Sequence, residues 1–310
     1  MAIPLAYLGA GRMSAATMSR QPGFANSSIG RALRSSWGAR VTSYFAFVVA
    51  WQIVGASFFR VPTPWETLDF IWREVSGGDH GGVRPGQFWE HFSATVPRFA
   101  IGISVAFVIG VVVGLLIGSF SFVRALLSDV LLVFLALPAI IWAFLTVMWF
   151  GLGWEAPVYT VILSAAPFVA VNVAQGVRAV SPELRRMSDA FGVPRNRRIR
   201  SMLLPAITGY LFTGLRFAVI IGWNAVLLAE WFGAVDGVGW RARLWYDAAR
   251  YKGFVGWAII FIVFIFLLDG LVLSPLQRRA FRWRASPSSD LKAEVGAVDT
   301  ESFTNTAIGL

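Results

Sequence analysis

The sequence has no cysteine and only two histidines among its 310 residues. The first absence excludes disulfide scaffolds, thiolate zinc sites, iron–sulfur clusters and cysteine nucleophiles, and it leaves the redox compartment unreadable. The second leaves little for a histidine-rich metal centre or a Ser/His hydrolase, since His80 and His91 read as members of one polar loop. Charge is scarce too: 14% of the residues are Asp, Glu, Lys or Arg, against about 25% in an ordinary soluble domain. What fills the space is apolar, with 56% hydrophobic residues and a mean hydropathy of +0.64. Such a composition belongs to a membrane protein. The charge that remains is one-sided, 27 basic residues to 17 acidic, and every basic residue except Lys252 and Lys292 is arginine. In an apolar chain this excess marks cytoplasmic loops and not nucleic-acid contact.

A bilayer core of about 30 Å takes roughly 20 apolar helical residues. Six segments qualify, at about 41–59, 96–118, 129–150, 156–175, 207–232 and 254–273. The fold class expected is therefore all-α, a polytopic membrane protein with six transmembrane helices. Pro138 falls in the middle of the third segment and Pro167 within the fourth, and each is expected to kink or break its helix. Arginines concentrate in the loops that are inside if the N-terminus is inside, so both termini are expected to be cytoplasmic. Residues 1–40 read as a cytoplasmic N-terminal tail, 41–284 as the transmembrane domain and 285–310 as a disordered C-terminal tail. Gly110, Gly114 and Gly118 in the second span, and Gly214, Ala218 and Gly222 in the fifth, form small-residue faces. They admit close helix packing, either within the subunit or between subunits.

Three ionisable residues stand out within the spans: Arg216 and Glu230 in the fifth, Asp269 in the sixth. Charge in the bilayer is costly and must pair or meet water. Arg216 and Asp269 both fall toward the cytoplasmic end, so they can pair; a role for Arg216 toward substrate is the competing reading. Glu230 sits at the outer end, either solvated there or serving as a gate or a contact. Asn224, Trp223, Trp142, Met148 and Trp149 are candidates for lining a pathway, although most aromatics in such a chain face lipid.

The most informative stretch is the arginine-rich loop 176–206. Ser181, Pro182 and Glu183 supply an N-cap, a proline at the first helical position and an acid in the first turn, and Gly192 supplies a left-handed stop. A short helix is predicted over 182–191, with Leu184, Met187 and Phe191 in an apolar stripe. From the pattern alone, this helix either lies on the inner leaflet with its arginines against anionic lipid or docks in a partner's groove.

Gly192, Leu204 and Pro205 resemble the EAA signature of ABC-importer permeases, E-A-A, three residues, G, nine residues, I, one residue, L-P. The three leading positions are occupied by Arg186, Met187 and Ser188, and the isoleucine position by Met202, so the signature glutamate is an arginine. The surrounding text is similar to the nitrate, taurine and aliphatic sulfonate permease family over about residues 50–284: VPTPWETL, TVPRFAIGISVAFVIGVVVGLLIG, LPAIIWAFLTVMWFGLG, GVRAVSPEL, TGLRFAVIIGWNAVLLAE and LLDGLVLSPLQRRAFRW. The resemblance implies a type I ABC importer permease fold in the bacterial inner membrane. It implies a homodimer of this chain, a cytoplasmic ABC ATPase docked through Leu184, Arg186, Met187, Ser188, Phe191, Gly192, Leu204 and Pro205, and an extracytoplasmic solute-binding protein. The solute implied is small and anionic: nitrate, taurine, a sulfonate or similar. It implies no catalytic site, cofactor or metal in the chain itself. A secondary transporter working without an ATPase is the alternative, and an intramembrane enzyme, which would need a nucleophile and base within the bilayer, is a more distant one.

Overall fold

A computed structural model describes residues 36–58, 60–79 and 86–281. His80, residues 1–35 of the expected N-terminal tail and the whole of the expected C-terminal tail lie outside these residues. The chain divides into two compact units, one up to Pro64 and one from Trp65 onward.

The first unit contains α1 (Ser36–Ser57). Trp51 Nε1 donates to the Pro62 carbonyl at 3.0 Å, which folds the following segment back on the helix. That return requires Gly55, where a Cβ would sit 3.0 Å from Thr63 Cα. The second unit holds α2 (Pro64–Ser76), α3 (Phe88–Ser119), α4 (Ser121–Ala136), α5 (Ala139–Phe150) and α6 (Glu155–Ala179). After these come α7 (Pro182–Ala190), α8 (Arg195–Arg198), α9 (Leu204–Gly233), α10 (Val238–Asp247), α11 (Tyr251–Leu268) and α12 (Ser274–Ala280). No strand is present among the described residues.

Among the described residues four helical stretches are long and apolar enough to cross a membrane: α3, α6, Ile199–Gly233 and Tyr251–Ala280. A fifth crossing exists if α4 and α5 count as one broken span, bent by 97°. α1, 22 residues of largely apolar sequence at the position of the expected first span, is not among these stretches. The expected third span, 129–150, is not a single kinked rod: α4 starts at Ser121, Leu137 is extended and Pro138 stands at the N-cap of α5. Pro167 behaves differently. α6 runs through it, because the helix is clamped by neighbours on both sides and the proline forfeits only one ladder bond. Two other prolines are absorbed by widened turns with i→i+5 bonding, at Ile199–Leu203 and Asp269–Leu273. Pro205 and Pro275 each follow two residues later, and both helices continue past them.

The core is organised around α6. Its Val161, Val169, Val173 and Val177 are buried and stand over the glycines of α3. At Gly110 a Cβ would lie 2.5 Å from Val169 Cβ and 2.7 Å from the Ala166 carbonyl; at Gly114 it would lie 2.6 Å from the Ala170 carbonyl. On the other side α9 brings Gly214 against Asn172, and Gly222 against Val161 and Ile103. The small-residue faces are therefore used inside the subunit, where Gly110 and Gly114 admit a valine and a carbonyl that an alanine would displace.

Replacing Gly114 with Val should cost about 1–3 kcal/mol or more through overpacking. Gly270→Ala, where nothing lies within 4 Å of the added carbon, should leave stability nearly unchanged. Thermal unfolding in detergent compares the two, and equal midpoints would contradict the packing described.

Candidate functional site

The arginine-rich loop folds as its signals direct. Ser181 Oγ accepts from Leu184 N at 3.3 Å, Pro182 opens α7, and the helix closes with Phe191 at the C-cap, one residue short of the predicted end. Gly192 has φ +57 and its N–H donates to the Asp189 carbonyl at 3.0 Å, while Val193 N donates to the Ser188 carbonyl at 3.1 Å. These bonds satisfy the last carbonyls of a very short helix. Asp189 pairs with Arg198 at 2.6 Å and so ties α7 to α8. From α8 the chain passes through the widened turn directly into α9. α7 is thereby connected to a membrane span through residues 191–194, α8 and one ion pair.

The stripe expected on α7 is divided between two environments. Leu184 packs on the main hydrophobic core together with Met202 and Leu204, Ser188 is buried, and Pro205 is half-buried. These residues hold the helix to the bundle. Met187 and Phe191 point the other way, 52% and 78% exposed, with Arg186 also exposed. This nine-residue helix therefore presents a thioether, an uncovered phenyl ring and a cation on its exposed side.

Within the spans, Arg216 Nε donates to Asp269 Oδ1 at 2.7 Å and Nη2 to Oδ2 at 3.1 Å and to Ser274 Oγ at 3.2 Å. The fork is bidentate and its two side chains are half-exposed. Asn224 is exposed on α9 and spends its amide on the Ile220 carbonyl at 2.8 Å. Trp223 and Trp142 are buried, whereas Met148 and Trp149 are exposed. Of the candidates for a pathway lining, the two tryptophans in the core are thus removed.

Glu230 is neither solvated nor accessible. It is fully buried at the end of α9 and is surrounded by donors: Arg98 Nη1 at 3.0 Å, Thr95 Oγ1 at 2.9 Å and Gly239 N at 3.0 Å. Arg98 also donates to Asp236 Oδ1 at 2.5 Å. Beside this cluster lies a second pair, Arg241 to Glu74 at 3.1 Å, with both side chains fully buried and Gln87 bonded to each. His91, assigned to a polar loop from sequence, is buried in the first turn of α3, which starts eight residues before the apolar run. Its Nδ1 accepts from Gly237 N at 3.2 Å. The cluster also builds the start of α10. Val238 N donates to Thr95 Oγ1 at 2.8 Å and Gly239 N to Glu230, so a carboxylate faces the positive end of that helix. Gly237, at φ +103, leaves room for the Glu230 carboxyl group, and Gly239 for the Leu227 carbonyl and the Glu230 Cβ, each of which an added Cβ would overlap.

Sequence reasoning missed Arg98, Glu74 and Arg241. The available signal was Pro97-Arg98 at the head of an apolar run, since an arginine there demands a carboxylate and Glu230 stands at the same membrane level. Among the described residues no three His, Asp or Glu side chains are grouped so as to hold a metal ion.

The described residues thus form an all-helical bundle with one crossing broken between α4 and α5, and a short exposed helix that precedes a span. Residues 106–279, more than half of the chain, match the binding-protein-dependent transport system inner membrane components, and the chain belongs to that family. Its members are permease subunits of ABC importers, without a catalytic site of their own. The chain is 27% identical over 240 residues to the taurine transport system permease protein TauC of Escherichia coli, covering 76% of this chain and 84% of that one. It is 28% identical over 246 residues to the bicarbonate transport system permease protein CmpB of Synechococcus elongatus, covering 76% and 85%. Its fold is like that of the inward-facing MetNI methionine ABC transporter, with a TM-score of 0.54 at 20% identity over 68% of this chain and 98% of that chain.

Arg98→Met should destabilise the protein by about 3–5 kcal/mol, because it strands the Glu230 carboxylate in the core. Combining it with Glu230→Gln should recover part of that loss. A double-mutant cycle on thermal stability in detergent measures the coupling, and strictly additive effects would show that the pair does not act as a unit.

Proposed function

We propose that this chain is the permease subunit of an ATP-driven importer in which two copies of it form the pathway, a cytoplasmic ATPase docks on α7 of each copy, and an extracytoplasmic binding protein delivers a small anion. The observation that carries the reading is the exposed Met187–Phe191 pair on a helix that leads through residues 191–194 and α8 into α9. Docking there converts motion of an ATPase into tilt of a span. Arg186 stands beside the pair where the related signature has a glutamate, so the matching ATPase is expected to present an acidic residue. The similarity to taurine and bicarbonate permeases supports an anionic solute, in the class of nitrate, taurine or a sulfonate.

The arginine distribution supports an orientation with α7 and both termini in the cytoplasm. In that arrangement residues 1–40 and 285–310 are cytoplasmic tails flanking a membrane domain at 41–284, and the Arg98–Glu230 cluster faces the binding protein's side. Two copies are needed because one subunit supplies only half of a closed pathway. Arg216, Asn224 and Asp269, polar and not buried in the single subunit, are the positions we assign to that pathway or its rim.

Phe191→Ala should weaken ATPase docking by about 2–4 kcal/mol, as expected for a buried aromatic anchor, and Gly192→Val should misdirect α7 by imposing a side chain on a left-handed residue. Both variants should reach the membrane in normal amount, lose the ATPase on purification and stop ATP-dependent uptake. If both retain an ATPase that still responds to the binding protein, the docking assignment fails. Uptake that persists without ATP and follows an ion gradient would point to a secondary transporter.

A further inference from the structure

The helix α2 carries more apolar surface than its packing uses. Thr67, Phe70 and Glu74 form its buried face, with Phe70 edge-on to Trp245 of α10 at a ring separation of 5.1 Å and Glu74 paired with Arg241. A second face is polar, where Asp69 pairs with Arg73 at 2.8 Å and Glu66 reaches Lys252 at 2.6 Å. Trp65, Leu68 and Trp72 recur at i, i+3 and i+7 and form a third face, exposed by 77%, 58% and 73%. A helix between a protein core and water needs one apolar face. Two apolar faces separated by a charged one fit a helix with three neighbours.

The level of α2 along the spans identifies the third neighbour. It meets α11 at Lys252 and against Gly256, within the first two turns of that span, which starts at Tyr251. At 1.5 Å per residue these contacts lie within about 8 Å of the span's end. Interfacial helices bury their apolar face about 5–10 Å into the boundary between headgroups and acyl chains. Tryptophan concentrates at that depth because its ring is apolar and its N–H can meet a headgroup. This is the end of the bundle where α9 terminates in Glu230, opposite the end that α7 occupies.

We infer that α2 is an interfacial anchor, with Trp65, Leu68 and Trp72 seated among phospholipids of the leaflet remote from α7. Through Glu74–Arg241 and Phe70–Trp245 the same helix holds α10, so the leaflet braces the segment that closes over the Arg98–Glu230 cluster. The inference depends on the chain being embedded in a bilayer and is independent of which ATPase it binds.

The absence of cysteine makes the test direct. Single cysteines at positions 65, 68, 69, 72 and 73 of the full chain, all exposed, are spin-labelled and the protein is reconstituted in phosphatidylcholine–phosphatidylglycerol vesicles. Collision rates with oxygen, which partitions into lipid, and with a water-soluble nickel chelate are measured at each site. Labels at 65, 68 and 72 should show an oxygen-to-nickel ratio several-fold above that at 69 and 73. Equal nickel accessibility at all five positions would overturn the inference by placing the face in water. Immobile labels at 65, 68 and 72, shielded from both reagents, would overturn it by showing a protein surface over the face.

Discussion

The larger unit is organised by the approach of α3 and α9 to α6 at near-backbone distance. In a bilayer, lipid tails solvate leucine as well as another helix does, so spans associate through close packing and not through escape from water. Glycines on α3 and α9 supply the room, and the valines of α6 fill it. β-Branched side chains suit this use because their rotamers are already restricted in a helix and little freedom is lost when they are buried. Consequently α6 is the most enclosed of the long spans, whereas α3 and α11 leave much of their surface exposed.

That rigid seam gives the two ends of the bundle different tasks. At one end, α9 begins immediately after α7 and α8, and the joint is a widened helical turn with an ion pair beside it. At the other end, α9 finishes in a carboxylate that fixes the first turn of α10 and an arginine of α3. Charges removed from water persist there because every strong charge has a partner and the carboxylate meets three donors.

Much of this was legible in the sequence. Apolar length located the spans, because about 30 Å of hydrocarbon sets a minimum that composition reveals. Ser181, Pro182 and Gly192 announced the limits of α7 to within a residue, since capping depends on neighbours in the chain. Pro138 marked the break between α4 and α5. Pro167 gave the same signal and no break followed, because packing on both sides of α6 outweighs one lost hydrogen bond. Local signals give what a residue prefers; enclosure decides whether the preference is obeyed.

The site shows the same division. The sequence by itself determined the membrane class, the arginine-rich loop, the short capped helix and the presence of Arg216 and Asp269 in adjacent spans, because these follow from composition, periodicity and residue spacing. Only the tertiary structure decided that Leu184 and Ser188 turn inward while Met187 and Phe191 stay exposed, since a stripe on a helix does not say which part meets its own bundle. Only it decided that Glu230 meets Arg98, 132 residues away in the chain, and that Glu74 meets Arg241, 167 residues away. The need for a partner is written in each charged residue, because burial without one is prohibitive, but the identity of the partner depends on which helices the glycine seam brings together.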